Sequence, residues 1–111
     1  MSDSPSSPEA FVVLSTAPSE EEAAKLARAL VDERLAACAQ LVPKIRSFYR
    51  WEGEVHDDPE HLLVIKTTAA RRDALIARIG ELHSYDVPEA VALPIAAGSQ
   101  AYLAWLGEVT Q

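Results

Sequence analysis

The fold of this chain is decided by the stretch Ala39 to Thr67, AQLVPKIRSFYRWEGEVHDDPEHLLVIKT. An apolar and aromatic run ends at Trp51, the pair Glu52-Gly53 follows, and a second apolar run of β type covers residues 62–65. Glycine supplies the positive φ that a tight connection needs, so the pattern predicts a long β-hairpin. The first strand of the hairpin, residues 39–51, measures about 40 Å when extended, whereas a compact domain of this size is roughly 34 Å wide. We therefore expect the hairpin to project beyond its own domain.

The segments around the hairpin alternate between strand and helix patterns. Residues 11–16 form a short β-branched run typical of a buried strand, and a capping box at Ser19 and Glu22 opens an amphipathic helix. After the hairpin, helical spacing covers residues 68–83, alternation predicts a strand over residues 90–95, and Gly98-Ser99 starts a short last helix. The predicted order is β-α-β-β-α-β followed by a terminal helix.

This order predicts an α+β fold, a ferredoxin-like βαββαβ sandwich with both main helices on one face of an antiparallel sheet. One short helix covers little of the other face. The uncovered face and the projecting hairpin both favour self-association through added strands. We expect residues 1–8, which are rich in Ser and Pro, to form a disordered tail and residues 9–111 to form a single domain.

Composition and charge exclude several classes of partner. Ten Lys and Arg residues against 17 Asp and Glu residues give the 111-residue chain a formal charge of -7, which repels nucleic acids and anionic membranes. The sequence shows no signal-peptide pattern and no apolar run approaching about 18 residues. Its single cysteine is compatible with a reducing compartment, so we expect a cytoplasmic protein without nucleic-acid or membrane partners.

No strong catalytic motif is present, since GxSxG, Walker, HExxH and CxxC patterns are all absent from the sequence. We therefore expect a protein that is not an enzyme. The segment 83–89, HSYDVPE, nevertheless concentrates an imidazole, a phenol and two carboxylates. His83, Asp86 and Glu89 are suited to hold a divalent cation, or equally to move protons. Alternatively, His83 caps the preceding helix and Tyr85 packs in a turn.

Other chemically suggestive residues have simple structural interpretations as well. Cys38 lies among small apolar residues without a neighbouring base, which favours an inert thiol over a nucleophile paired with His83. As a soft metal ligand it would need partners from elsewhere in the chain or from another subunit. Tyr49, Trp51 and Lys66 could line an anion-holding pocket, but aromatic residues on strands more often form packing pairs. The polar run 56–61 suggests metal, yet a polar bulge in an exposed hairpin explains it equally well.

Several blocks in this order resemble the CutA family of divalent-cation-tolerance proteins, from about residue 11 to residue 106. The resemblance implies a homotrimer of ferredoxin-like subunits, similar in architecture to PII signalling proteins, with hairpins that pair between subunits. The blocks that carry it are ALVDERLAAC (29–38), IRSFYRWEG (45–53), LLVIKT (62–67), HSYDVPE (83–89), ALPI (92–95), and Gly98 with YLAWL (102–106).

The resemblance further implies a role in tolerance of divalent cations, with copper or alternatively zinc as the bound metal and no obligatory cofactor. The expected partners are other copies of the chain and a divalent cation or a small anionic ligand. An alternative is a non-catalytic signalling or scaffold module that binds a small anion or a protein. By motif position, the cleft between subunits would be lined by Trp51, Lys66, His83, Tyr85 and Glu89, and Cys38 matches a cysteine frequent in the family.

The loop departs from the family pattern at two positions. The usual loop resembles His-Pro-Tyr-Glu, whereas Ser84 stands here in place of the proline and Asp86 in place of the glutamate. Aspartate keeps the charge but is one methylene shorter, and the loss of proline loosens the loop. The resemblance therefore supports the family fold for this chain more strongly than it supports a particular arrangement of metal ligands in this loop.

Overall fold

A computed structural model of the protein describes residues 9–111, so the tail predicted for residues 1–8 lies outside the described residues. The element order confirms the sequence prediction. Four strands and three helices follow one another as β1 (Ala10–Ala17), α1 (Glu20–Asp32), β2 (Cys38–Trp51), β3 (Glu54–Thr68), α2 (Ala69–Leu82), β4 (Val91–Pro94) and α3 (Gln100–Val109).

The four strands form one antiparallel sheet in the order β2-β3-β1-β4. Helix α1 begins at the predicted N-cap, where the Ser19 side chain accepts a hydrogen bond from the backbone N–H of Glu22 at 3.1 Å, whereas the Glu22 side chain accepts from Ser84 rather than closing the capping box. Helices α1 and α2 pack on one face of the sheet, which confirms the α+β class. The buried core of this layer is formed by Val13, Ala17, Ala23, Leu26, Leu30, Ala36, Leu63, Ile65, Leu75 and Ile79.

The hairpin of β2 and β3 projects well beyond this core. Strand β1 pairs with β3 only over residues 61–68, so β2 is the sole sheet partner of the distal part of β3. The molecule measures 56 × 25 × 22 Å, so its longest dimension is more than twice each of the other two. The turn confirms the Glu-Gly prediction, since Glu52 and Gly53 have φ of 50° and 83°, the positive values of a tight hairpin connection.

The hairpin contains one irregularity, a bulge at Pro43 and Lys44. Val42 pairs with Leu62 and Ile45 with Glu60, so β2 carries one extra residue at this point. In the polar run 56–61, residues 56–60 pair in regular register with β2 and His61 stands opposite the bulge, so the extra residue lies in β2 rather than in this run. Proline lacks the N–H that a regular ladder uses, which explains why pairing is interrupted at Pro43.

Helix α3 packs on the sheet face opposite α1 and α2. It buries a second, smaller apolar cluster, formed by Ala10, Ala37, Leu106, Ile95, Leu103 and Val109. Val42, Val91 and Leu93 remain exposed on the sheet, in agreement with the expectation that one short helix covers little of this face. Within residues 9–111, no helix is long and apolar enough to cross a membrane.

Candidate functional site

A cavity of about 520 Å³ lies between the hairpin and the loop that follows α2. We call it the acidic cleft, because its lining includes three carboxylic acids and no lysine or arginine. The lining residues are Thr16, Ser47, Phe48, Tyr49, Trp51, Glu60, Tyr85, Asp86, Val87 and Glu89.

The bulge in β2 determines which hairpin side chains face the acidic cleft. Alternate residues of a strand share one face, and the pairing of Ile45 with Glu60 places Ser47, Tyr49 and Trp51 on the same face as Glu60. A slip of one residue moves a whole strand's side chains to the other face. Without the extra residue at the bulge, Tyr49 and Trp51 would therefore lie on the helix side of the sheet.

Glu60 is the most deeply buried charged group of the acidic cleft, with 7% of its surface exposed. Its Oε2 accepts a hydrogen bond of 2.8 Å from the hydroxyl of Tyr85. No lysine, arginine or histidine among residues 9–111 forms an ion pair with it. Buried carboxylates are ordinarily paired with a positive charge, so Glu60 stands out as a buried acid that lacks one.

The groups around Glu60 respond to its charge. Burial, together with the hydrogen bond to Glu60, raises the pKa of Tyr85 well above its ordinary value, which keeps the phenol protonated as a donor. Partial removal from water and the nearby Glu60 carboxylate raise the pKa of Glu89. Burial is the largest cause of both shifts, and the Glu60 carboxylate adds to each of them.

His83 holds the loop rather than lining the acidic cleft. Its side chain is fully buried, and its Nε2 lies 2.6 Å from the carbonyl oxygen of Thr16. Because a carbonyl oxygen only accepts, Nε2 carries the proton, and Nδ1 is free to accept the backbone N–H of Tyr85 at 3.0 Å. Both ring nitrogens therefore serve main-chain groups, and the imidazole positions Tyr85, whose ring centroid lies 4.7 Å from its own.

Ser84, one of the two departures from the family loop, has a defined role. Its backbone N–H and its hydroxyl both donate to Glu22 Oε2, at 3.0 and 2.9 Å. Burial is the largest single influence on the pKa of Glu22 and acts to raise it, but the two hydrogen bonds from Ser84 outweigh it, so that the pKa is lowered. The family's proline would restrict the loop backbone; Ser84 instead fixes the loop to helix α1 through its two hydrogen bonds to Glu22.

The aromatic wall of the acidic cleft comes from β2. The hydroxyl of Tyr49 donates to Asp58 Oδ2 at 2.6 Å, and its ring stacks on His56 at a centroid distance of 5.1 Å. The hydrogen bond to Asp58 is the main cause that raises the pKa of Tyr49. Tyr49 and Trp51 keep 41% and 45% of their surface exposed, so large aromatic surfaces remain open beside Glu60.

Cys38 and Lys66 lie outside the acidic cleft. The two residues pair across β2 and β3 at the opposite end of the same sheet face, next to α3. Lys66 donates to the side-chain oxygen of Gln40, and Cys38 Sγ lies 3.4 Å from the hydroxyl oxygen of Tyr102. This contact is the main cause that raises the pKa of Tyr102 to about 12. Nowhere in residues 9–111 are three His, Cys, Asp or Glu side chains grouped so that one chain could hold a metal ion.

The structure thus brings together five of the residues named from the sequence, Tyr49, Trp51, Tyr85, Asp86 and Glu89, in one cleft. Sequence reasoning missed Glu60, which it treated as part of a polar bulge. The alternation of Glu60 with Leu62 and Val64 along β3 indicates which face of the sheet Glu60 is on. The β2 residues that lie opposite Glu60 are set by the bulge in β2, which the sequence did not reveal.

Comparisons with known proteins find relatives over most of the chain. Residues 11–109 match the family model described as CutA1 divalent ion tolerance protein. A divalent-cation tolerance protein CutA from Thermus thermophilus is 57% identical over 89% of this chain and 96% of its own length. A chloroplastic CutA protein of Arabidopsis thaliana is 45% identical over the whole chain, which spans 61% of the length of that relative.

Solved structures of similar proteins have the same fold. The crystal structure of CutA1 from Oryza sativa has a TM-score of 0.91 at 45% identity, and covers 96% of this chain and 98% of its own. A divalent cation tolerance protein from Thermus thermophilus has a TM-score of 0.89 at 55% identity, with 92% and 99% coverage.

Proposed function

Because this chain belongs to the CutA1 family of divalent ion tolerance proteins, we propose that it contributes to tolerance of divalent cations by binding them in the acidic cleft. The observation that carries the proposal is Glu60, a carboxylate with 7% exposure and no basic partner in residues 9–111. A cation bound beside it supplies the missing charge. The function is non-catalytic and needs no obligatory cofactor.

The proposed ligands are the carboxylates of Glu60, Asp86 and Glu89. Within the described residues these three are not grouped around a single point, so a bound cation takes one or two of them, and water or a second copy of the chain supplies the remaining ligands. Copper is the first candidate and zinc the alternative, because Cu²⁺ binds a given set of nitrogen and oxygen ligands more tightly than other divalent first-row metals. Tyr49, Trp51 and Tyr85 form the walls, and His83 is a positioning residue.

The proposed functional unit is a homotrimer. The projecting hairpin and the open edges of β2 and β4 favour pairing with other copies of the chain. The exposed apolar residues Val42, Val91 and Leu93 support the same proposal, since burying them is favourable. The proposed location is the cytoplasm, where a lone cysteine stays reduced.

Calorimetric titration of Cu²⁺ and Zn²⁺ into the full chain tests the proposed site. We expect Glu60→Gln to weaken cation binding strongly, because it removes the buried negative charge. The glutamine oxygen still accepts the hydrogen bond from Tyr85, so the local structure is kept. Asp57→Asn is the matched control, since it changes the net charge equally while Asp57 pairs with Arg46 on the other face of the hairpin. Equal binding curves for wild type and Glu60→Gln would overturn the proposal.

Sedimentation equilibrium of the full chain tests the trimer. We expect a mass three times that of the 12.1 kDa chain. Replacement of Leu93 by a charged residue, Leu93→Lys, should lower the fraction of trimer, because it places a charge on the apolar sheet face. A wild-type chain that stays monomeric at all concentrations would overturn the trimer.

The alternative is a scaffold module, and the buried His83 favours it. Its two hydrogen bonds to main-chain groups are those of a structural residue. In this alternative, His83→Ala lowers the stability of the assembly and leaves every ligand affinity unchanged. A small anion is disfavoured as the ligand, because no lysine or arginine lines the acidic cleft.

A further inference from the structure

The acidic cleft is much larger than a bare metal ion needs. Its volume of about 520 Å³ lies within the range of roughly 300 to 1,000 Å³ that is common for pockets holding small organic molecules. Such pockets combine apolar and aromatic walls with a few well-placed polar groups. The acidic cleft has this composition, since its lining combines aromatic residues from the hairpin and the loop with the buried Glu60.

The second carboxylate oxygen of Glu60, Oε1, is available to accept a hydrogen bond. Oε2 is taken by the Tyr85 hydroxyl, whereas Oε1 receives no hydrogen bond from residues 9–111. Oε1 keeps some accessible surface, since within residues 9–111 the one fully enclosed side-chain atom without a partner is the hydroxyl of Ser15. A ligand that donates a hydrogen bond and carries a positive charge would satisfy both needs of this carboxylate.

The walls suit a cation with an organic body. In the single chain, the rings of Tyr49 and Trp51 line the cavity and remain 41% and 45% exposed. Aromatic faces attract ammonium groups within about 6 Å of the ring, and they also bury alkyl chains favourably. A hydrated metal ion uses neither property.

We infer that the acidic cleft binds an organic primary ammonium ion. The ammonium group donates to Glu60 Oε1 and lies near the Glu89 carboxylate, while the carbon chain packs against Tyr49 and Trp51. The inference uses the same cleft as the proposed function, but it does not require that a metal binds there. Neutral molecules of the same shape lack the charge, and quaternary ammonium ions lack the N–H donor.

The test uses metal-free full-length protein carrying Trp105→Phe, so that Trp51 is the remaining tryptophan. The probe is 1,4-diaminobutane, the neutral control is 1,4-butanediol, and the quaternary control is the fully N-methylated diamine, which carries the same two charges but no N–H. We expect the diamine to change the fluorescence of Trp51 in a saturable way and to bind more tightly than the quaternary control, whereas the diol gives no saturable change. A linear response to the diamine, or equal affinity for the quaternary control, would overturn the inference.

Two substitutions locate the binding. Glu60→Gln should weaken diamine binding about tenfold or more, the ratio expected from losing a hydrogen bond between charged groups. Asp57→Asn, which changes the net charge equally on the other face of the hairpin, should leave it within about twofold at moderate salt. Circular dichroism confirms that both variants are folded. If both substitutions weaken binding equally, the attraction is a general charge effect and the inference fails.

The outcome is distinguishable from that of the proposed function. Saturable diamine binding without Cu²⁺ or Zn²⁺ binding supports the ammonium site and overturns the metal site. Metal binding without diamine binding does the reverse. If Cu²⁺ displaces bound diamine in direct competition, both ligands use Glu60.

Discussion

The hydroxyl of Tyr85 donates a hydrogen bond of 2.8 Å to Glu60 Oε2 and thereby joins the loop after α2 to strand β3. The two residues are 25 positions apart in sequence, and both line the acidic cleft. Tyr85 is in turn held by His83, which accepts its backbone N–H. The cleft is therefore built by a chain of hydrogen bonds from the core to the hairpin.

Replacing Tyr85 tests this connection. Tyr85→Phe leaves a buried carboxylate without its donor, and we expect it to lower the free energy of unfolding by about 1 to 3 kcal/mol. Urea denaturation measures the loss. Tyr102→Phe is the control, because the hydroxyl of Tyr102 contacts Cys38 at a more exposed site and its removal should cost less. Equal losses in the two variants would contradict the assigned role of Tyr85.

Replacing His83 tests whether the imidazole is structural. His83→Ala leaves the Thr16 carbonyl and the Tyr85 N–H without partners and opens a cavity, so we expect a loss of at least about 2 kcal/mol in the free energy of unfolding. His61→Ala is the control. Its Nδ1 accepts one backbone N–H, from Lys44 at an exposed position, and its loss should be smaller. A wild-type melting curve for His83→Ala would exclude the structural role.

Most of the fold could be predicted from local patterns. Helix α1 was predictable because Ser19 and Glu22 have the spacing of an N-cap ahead of an amphipathic run, and the hairpin because Glu52-Gly53 separates two apolar segments. The overhang followed from the length of β2 alone. These features depend on residues close in sequence, and the structure confirms them.

The candidate site was less predictable because it depends on register. Asp86 and Glu89 lie in one polar loop and could be named from the sequence. The place of Glu60 depends on which β2 residue stands opposite it, and the extra residue at Pro43 changes that assignment. Cys38 and Lys66 were grouped with the site by motif position. In the structure they pair with each other across β2 and β3 at the far end of the sheet from the acidic cleft.

The raised pKa of Glu89 predicts a specific pH dependence. Burial and the Glu60 charge favour the protonated acid in the folded state, so between the ordinary pKa and the raised pKa the folded chain binds more protons than the unfolded chain. The contribution of Glu89 to stability is therefore present at low pH and is lost as the pH rises through the raised pKa. We expect the stability of wild type relative to Glu89→Gln to fall over this interval.

Urea unfolding from about pH 4 to about pH 7 measures this difference. Cation binding should change in the opposite direction, because ionised Glu89 attracts a cation more strongly. Stability curves of wild type and Glu89→Gln that stay parallel over the whole range would show that the carboxyl of Glu89 is not perturbed.

The hairpin turn offers a stabilising substitution. Glu52 has a φ of 50°, in the left-handed region that is costly for most side chains but tolerated by asparagine. Asn-Gly is the preferred pair for this type of turn, so Glu52→Asn should raise the free energy of unfolding by about 0.5 to 1 kcal/mol. Thermal denaturation measures the gain. Gly53→Ala, at a φ of 83°, should do the opposite, and a loss in both variants would contradict this account of the turn.

Two buried hydroxyls in the core should respond oppositely to removal. Ser15 is fully buried and its hydroxyl has no hydrogen-bond partner within residues 9–111, whereas the hydroxyl of Thr67 donates to the Leu35 carbonyl at 2.6 Å. An unpaired buried hydroxyl costs free energy, so Ser15→Ala should be neutral or stabilise the fold by about 1 kcal/mol. Thr67→Val keeps the shape but leaves the carbonyl unpaired, and should destabilise the fold by about 1 to 2 kcal/mol. Urea denaturation measures both variants under the same conditions. If Ser15→Ala is the more destabilising of the two, the hydroxyl of Ser15 has a partner, such as a buried water molecule.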